Sequence, residues 1–352
     1  MKDPFPIPPI PALSNAVQPW ADYFDLPTLP LHIHEVLIIA LFYEFIRSVV
    51  SPTLSARIFP TQYAALSGSK KMNWDVHVVS FVQSTTINAL ALWVIFVDEE
   101  RKQMDWQERL WGYTGASGMI QALAAGYFLW DFCITVTNIN VFGLGMLAHA
   151  VSALLVYSFG FRPFVNYYST VFILWELSSP FLNIHWFCDK LGLTGSRLQL
   201  YNGLVLIATF FSCRLVWGTY QSSLVYRDLM AGLNATPDVL TTDKLDLPAR
   251  YAESMRFVNA STTLPTWLAA IYIGSNLTLN SLNFYWFFKM IEAVRKRFDP
   301  KAESKPQDAT TGSAKKADGA ATLTTGTDGS ITTRPRRRTI LDGEDPEAPP
   351  PI

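Results

Sequence analysis

Charge is scarce in this chain. Only 16% of its 352 residues are Asp, Glu, Lys or Arg, and 49% are hydrophobic; an ordinary soluble domain carries about a quarter charged residues. That deficit excludes a conventional water-facing surface, and a mean hydropathy of +0.17 points to a membrane protein. An excess of either sign is missing too. The net charge of −1 gives no global attraction for nucleic acid. Cysteine is nearly absent, and Cys133, Cys188 and Cys213 form no CxxC pair. Each sits in or beside an apolar run, so the three read as buried thiols rather than a disulfide framework or zinc site. The opening MKDPFPIPPIP lacks a basic region leading into an apolar one. No cleavable signal peptide is expected, and insertion would rest on the first spanning helix. There is no P-loop, no GxGxxG and no GxSxG, and the His and carboxylate spacings match no standard zinc pattern. Neither a metal nor a resident cofactor is expected.

Long apolar runs are what the chain does have. A helix needs about 20 apolar residues to cross the hydrocarbon of a bilayer. Counting runs of that length gives about seven spans, at 33–51, 74–97, 115–137, 139–159, 165–187, 199–219 and 266–291. The third and fourth are separated only around Asn138–Asn140, which predicts a tight antiparallel hairpin. In the first, Glu44 and Arg47 stand three residues apart, the spacing for a pair on one helix face. Residues 1–31 are rich in proline and aromatics and read as an extended or interfacial lead-in. Lys70 and Lys71 precede the second span; Arg295, Lys296, Arg297 and Lys301 follow the last. Placing both groups in the cytosol puts the C-terminus there as well. The segment Asp98–Glu108 and a long loop at 220–265, with sequons at Asn234 and Asn259, then face the lumen. From about residue 299 hardly any aromatics remain, so 299–352 reads as a disordered tail, with a basic cluster at Arg334–Arg338.

Polar residues inside those apolar runs are the clue to function. An ionisable group at membrane depth costs about 2.5–3.5 kcal/mol on insertion scales, so it normally faces a protein interior or a wet cavity. Asp131 lies in GYFLWDF, His149 in GMLAHAV and Glu176 in WELSSPFLNIHWF. At helical spacing Tyr127, Asp131, Thr135 and Asn138 share one line, as do Gly145, His149 and Ser152, and again Glu176, Ser179 and Asn183. Pro180 adjoins the last set and predicts a kink. Asn276, Asn280 and Asn283 form a stripe on the final span, His77, Ser84 and Asn88 a looser one on the second, and Arg214 closes the sixth. Asn, Ser and Thr stripes serve as interhelical glue in many bundles, and His77 and His185 near span ends read as structural. Asp131, His149 and Glu176 differ, because amides would glue helices at lower cost. A buried pair of Arg214 with either carboxylate would fix helix register. Chemically, His149 suits a general base with Asp131 as its orienting partner.

At these residues the sequence resembles the TLC-domain family, the membrane proteins that include ceramide synthases and smaller lipid-homeostasis relatives. The matching pieces are GYFLWDF, the helix with His149, ELSSPFLNIHWF, FFSCRL and NFYWFFKMI. ELSSPFLN is the most specific and looks closest to the branch that is not ceramide synthase. The resemblance implies an all-α bundle of transmembrane helices around an internal, lipid-sized cavity, in the endoplasmic reticulum or a related membrane. It divides the chain into a lead-in with the first helix (1–69), a TLC-like domain (70–298) and the tail. In ceramide synthases the implied catalytic pair is two adjacent histidines. Here His149 is followed by Ala150.

Three readings remain. In the first, Asp131, His149, Glu176, Ser179, Asn183, Arg214, Asn276, Asn280 and Asn283 line a cavity that holds a membrane lipid, and the protein takes part in lipid homeostasis, sphingolipid included. In the second, an N-acyltransferase uses acyl-CoA as co-substrate, with His149 and Asp131 catalytic. In the third, a structural or chaperone-like partner protein uses its polar residues only to join helices. The oligomeric state is left open.

Overall fold

The computed structural model describes residues 1–235, 253–258 and 262–298, with 297 and 298 described by backbone alone. The expected tail at 299–352 and the Asn259 sequon lie outside the described residues. Every regular element among those described is helical. In order they are α1 (Pro11–Phe24), α2 (Leu29–Phe45), α3 (Ser51–Ile58), α4 (Pro60–Ala64), α5 (Gly68–Val97), α6 (Glu99–Lys102) and α7 (Trp106–Trp111), then α8 (Gly115–Thr137), α9 (Ile139–Phe159), α10 (Asn166–Phe172), α11 (Ser179–Lys190), α12 (Arg197–Phe210), α13 (Gly218–Asn234) and α14 (Thr266–Phe298). A π stretch at Ile46–Val50 joins α2 to α3, and another at Phe211–Trp217 joins α12 to α13; a 3-10 stretch at Ile173–Ser178 joins α10 to α11.

Four helical segments among the described residues are long and apolar enough to cross a bilayer: Gly68–Val97, Trp106–Thr137, Ile139–Phe159 and Arg197–Asn234. The other expected spans, 33–51, 165–187 and 266–291, are helical too but fall short of that measure. The first carries Glu35, Glu44 and Arg47, the second is broken by its 3-10 stretch, and the third carries the asparagine stripe. Leu41, Phe42, Phe96, Leu144, Leu204, Val216 and Phe288 stand exposed around the bundle. So many large apolar side chains facing outward suit a hydrocarbon solvent rather than water.

The centre is α8. Its sequence GASGMIQALAAGYF is buried from end to end, because small residues let neighbouring backbones approach closely. It packs on α2 and α9; α9 in turn packs on α14, and α5 on α11 and the 3-10 stretch. The hairpin between α8 and α9 turns at Asn138, and Gly143, at φ +78°, supplies the left-handed residue that resets the direction of α9.

Three expectations are corrected. Residues 11–24 form a helix rather than an extended lead-in, since Pro11 pre-sets the first turn; the interfacial reading fits its exposed Trp20, Tyr23 and Phe24. The expected loop at 220–265 is helical as far as Asn234, because the π stretch carries the sixth helix onward without a break. Cys133 is exposed while Cys188 and Cys213 are buried. Two residues of α-helix amount to about 200° of rotation, so Cys133 points away from the face that buries Asp131.

The predicted Glu44–Arg47 pair is present, with Arg47 Nε 2.8 Å from Glu44 Oε2, and Trp130 Nε1 donates to the same carboxylate at 3.0 Å. Pro180 sits in the first turn of α11, where its missing N–H is not needed, directly after the 3-10 stretch.

Candidate functional site

Two irregular backbones meet inside the bundle. Glu176 lies in the 3-10 stretch and Arg214 in the second π stretch, and the two stretches pack against each other. A π turn widens the helix by one residue and a 3-10 turn tightens it, so each redirects side chains that a regular helix would aim elsewhere. Arg214 is 1% exposed. Its guanidinium spreads over four polar partners: Nε donates to Ser178 Oγ at 3.0 Å, Nη1 to Asn283 Oδ1 at 2.9 Å and Nη2 to Ser179 Oγ at 3.1 Å, while Glu176 Oε1 stands 3.8 Å from Nη2. Having accepted from arginine, the Ser179 hydroxyl is left to donate to Glu176. The planar fork of donors explains why arginine and not lysine occupies this point. The Phe210 ring, 4.9 Å from the guanidinium, closes one side.

Glu176, and not Asp131, is therefore the partner of Arg214. Asp131 is buried, takes a hydrogen bond from Thr135 one turn along, and lies within the field of Glu176. His149 is also buried, between the rings of Phe128 at 6.1 Å and Trp286 at 5.8 Å, and within the field of Arg214. Among the described residues no hydrogen bond joins Asp131 to His149. Three polar atoms around Arg214 have no partner although buried: His149 Nδ1, Glu176 Oε2 and Asn283 Nδ2. A buried polar atom without a partner costs about 1–3 kcal/mol, so three in one place need a reason.

A second network adjoins the first. Asn183 donates to Ser80 Oγ at 3.0 Å and to the Ser179 carbonyl at 2.9 Å, and its Oδ1 meets His77 Nδ1 at 2.7 Å. His77 stacks on Trp186 at 3.9 Å. This ties α5 to α11 behind the arginine, as the structural reading of His77 expects. The final stripe divides. Only Asn283 reaches Arg214; Asn276 accepts from Tyr226 at 2.6 Å, and Asn280 donates to Ser222 at 3.0 Å and to Asn276 Oδ1 at 2.9 Å, so both join α14 to α13.

Sequence reasoning missed Ser178, which only the Ser178–Ser179 doublet hinted at, and it missed the rings of Phe128 and Trp286 beside His149. Cavities among the described residues lie elsewhere. One of about 190 Å³ is lined by Asp25, Trp111, Arg162, Phe257 and Leu264 among others; one of about 10 Å³ lies beside Gln121, Tyr157 and Tyr272. Neither is lined by Asp131, His149, Glu176 or the asparagines. The polar cluster stands apart from both.

A TLC domain model matches residues 73–292, which contain every one of these polar residues. The chain is 38% identical over 305 residues to an uncharacterized TLC domain-containing protein of Schizosaccharomyces pombe, covering 87% of this chain and 93% of that one. It is 28% identical to topoisomerase I damage affected protein 4 of Saccharomyces cerevisiae, over 78% of this chain and 88% of that one. With TLC domain-containing protein 4-B of Danio rerio it shares 24% identity, over 76% and 90%.

Proposed function

The chain belongs to the TLC domain family of membrane proteins, and from that premise we propose that it binds a membrane lipid at the Arg214 cluster and takes part in lipid homeostasis. The observation that carries the proposal is the trio of unpartnered buried atoms, His149 Nδ1, Glu176 Oε2 and Asn283 Nδ2, on two residues that pair with Arg214 and a third that lies in its field. An arginine and glutamate pair alone would join helices. Spare acceptor and donor sites beside it suit a headgroup that both gives and takes hydrogen bonds, such as an amide or hydroxyl. The Phe128 and Trp286 rings offer apolar walls to the carbon next to that headgroup. Asp131, Ser179 and Asn183 border the same place, whereas Asn276 and Asn280 are helix glue in this reading. Entry needs the helices to part, for which the π and 3-10 stretches are the natural hinges. The membrane in question is the endoplasmic reticulum or a related one, with the C-terminus in the cytosol.

The acyltransferase reading draws on one observation, the free Nδ1 of His149. It lacks the second family histidine, since Ala150 follows, and Asp131 does not orient the ring. One experiment separates the two. Wild type and His149→Ala are purified in mild detergent, co-purifying lipids are identified by mass spectrometry, and transfer from acyl-CoA to a sphingoid base is assayed. The proposal expects a stoichiometric lipid in wild type, depleted in the variant, with no turnover in either. Turnover lost in the variant supports the enzyme; neither lipid nor turnover leaves the cluster as a helix joint.

A further inference from the structure

A second polar cluster is built from other residues. In the first two turns of α2, His32 and Glu35 are 1% and 0% exposed, three residues apart and so on one face. Residues 1–7 are laid across them. The Met1 carbonyl accepts from Gly115 N at 2.9 Å, the Ile7 carbonyl meets His34 Nε2 at 2.8 Å, and the Phe5 ring packs edge-on to His34. This strap holds Asp3 over His32. One Asp3 oxygen accepts from Phe5 N at 2.9 Å and the other lies 3.5 Å from His32 Nδ1. Glu35 Oε1 is 2.6 Å from that same nitrogen, and the Asp3 and Glu35 carboxylates are themselves in contact. Glu35 Oε2 is buried and has no partner.

We infer that Asp3, His32 and Glu35 hold one divalent transition-metal ion, with Zn²⁺ as the first candidate. Three ligand atoms, one from each residue, lie within 4.8 Å of one another. Two carboxylates facing each other and one ring nitrogen repel unless a cation or a proton lies between them. Tetrahedral Zn²⁺ with bonds of about 2.0–2.1 Å sets its ligand atoms about 3.3–3.4 Å apart. The Asp3–His32 separation already fits, and the His32–Glu35 contact opens by under an ångström to admit the ion. The far side of the ring is arranged as a metal-bound histidine requires: His32 Nε2 lies 2.7 Å from Tyr113 Oη, and donating its proton there leaves the Nδ1 lone pair for the metal. Gly118 makes room for this, since a Cβ there would strike His32 Nε2 and the Tyr113 ring. Two carboxylates and a neutral imidazole balance a dication. Three protein ligands, with the Asp3 side chain 28% exposed, leave a position open to water. Arg256 stacks over Tyr113 at 5.0 Å from its centroid and acts on the cluster from outside the ligand set.

The test uses the full chain in detergent, stripped with EDTA and titrated with ZnCl₂ by calorimetry, with Tm followed in parallel. One Zn²⁺ per chain and a rise in Tm on addition are expected. Asp3→Asn, at a partly exposed residue, keeps the Tm of stripped wild type but weakens Zn²⁺ binding at least tenfold. Tyr113→Phe, which removes only the outer hydrogen bond, weakens it by about 10–100-fold. No stoichiometric uptake by stripped wild type overturns the inference, and so does an Asp3→Asn protein that binds Zn²⁺ as tightly as wild type; the carboxylates then share a proton. Because none of these residues borders Arg214, the result is independent of the lipid proposal.

Discussion

Arg214→Met is the most exposed consequence of the site geometry. The substitution removes three hydrogen bonds and the ion pair at once and leaves Glu176 buried without a cation. Breaking a buried pair from one side costs about 3–5 kcal/mol, mostly the price of the charge left behind. In a domain of about 150–250 residues each kcal/mol moves Tm by about 2–4 °C, and the matched domain covers residues 73–292, so a fall of about 6–20 °C is expected in detergent. Glu176→Gln removes the charge as well. The double variant, Arg214→Met with Glu176→Gln, should therefore recover part of the loss, with a coupling of about 0.5–3 kcal/mol. Thermal unfolding of the four proteins, followed by intrinsic tryptophan fluorescence or by light scattering, completes the cycle. Additive losses would refute the pairing. An Arg214→Met protein as stable as wild type would refute the buried cluster altogether.

The two asparagines on α14 should separate. Asn280→Leu loses only helix glue, worth about 0.6 kcal/mol, and keeps any co-purified lipid, whereas Asn283→Leu loses the lipid; mass spectrometry of the purified variants checks both. His77→Phe preserves the stack on Trp186 but strands Asn183 Oδ1, so a cost of about 1–3 kcal/mol is expected in thermal unfolding. Asp105→Ala breaks the capping box of α7, in which Asp105 accepts from Gln107 and Glu108 backbone N–H groups and Glu108 caps Asp105 N; hydrogen exchange over 105–111 should rise, with about 0.5–2 kcal/mol lost.

The helical class, the membrane character and the bounds of α8 and α9 were legible along the chain, because apolar length and helical spacing are local properties. α8 and α9 run at 115–137 and 139–159, the bounds expected of the third and fourth spans. The buried stripe of Tyr127, Asp131 and Thr135 likewise follows from a period of 3.6 residues. Partner choice is not local. Nothing in the spacing of Asp131, Glu176 and Arg214 says which carboxylate meets the guanidinium; the packing of the 3-10 stretch on the π stretch decided that it is Glu176. The division of the asparagine stripe, with Asn283 to Arg214 and its two companions to α13, depends on the neighbour each turn of α14 meets. The Asp3, His32 and Glu35 cluster escaped the sequence for the same reason. Its two halves stand some thirty residues apart, and only the folding of the first strand of chain across α2 and α8 brings Asp3 to His32. Periodicity chose the faces of the helices, and tertiary packing chose what each face touches.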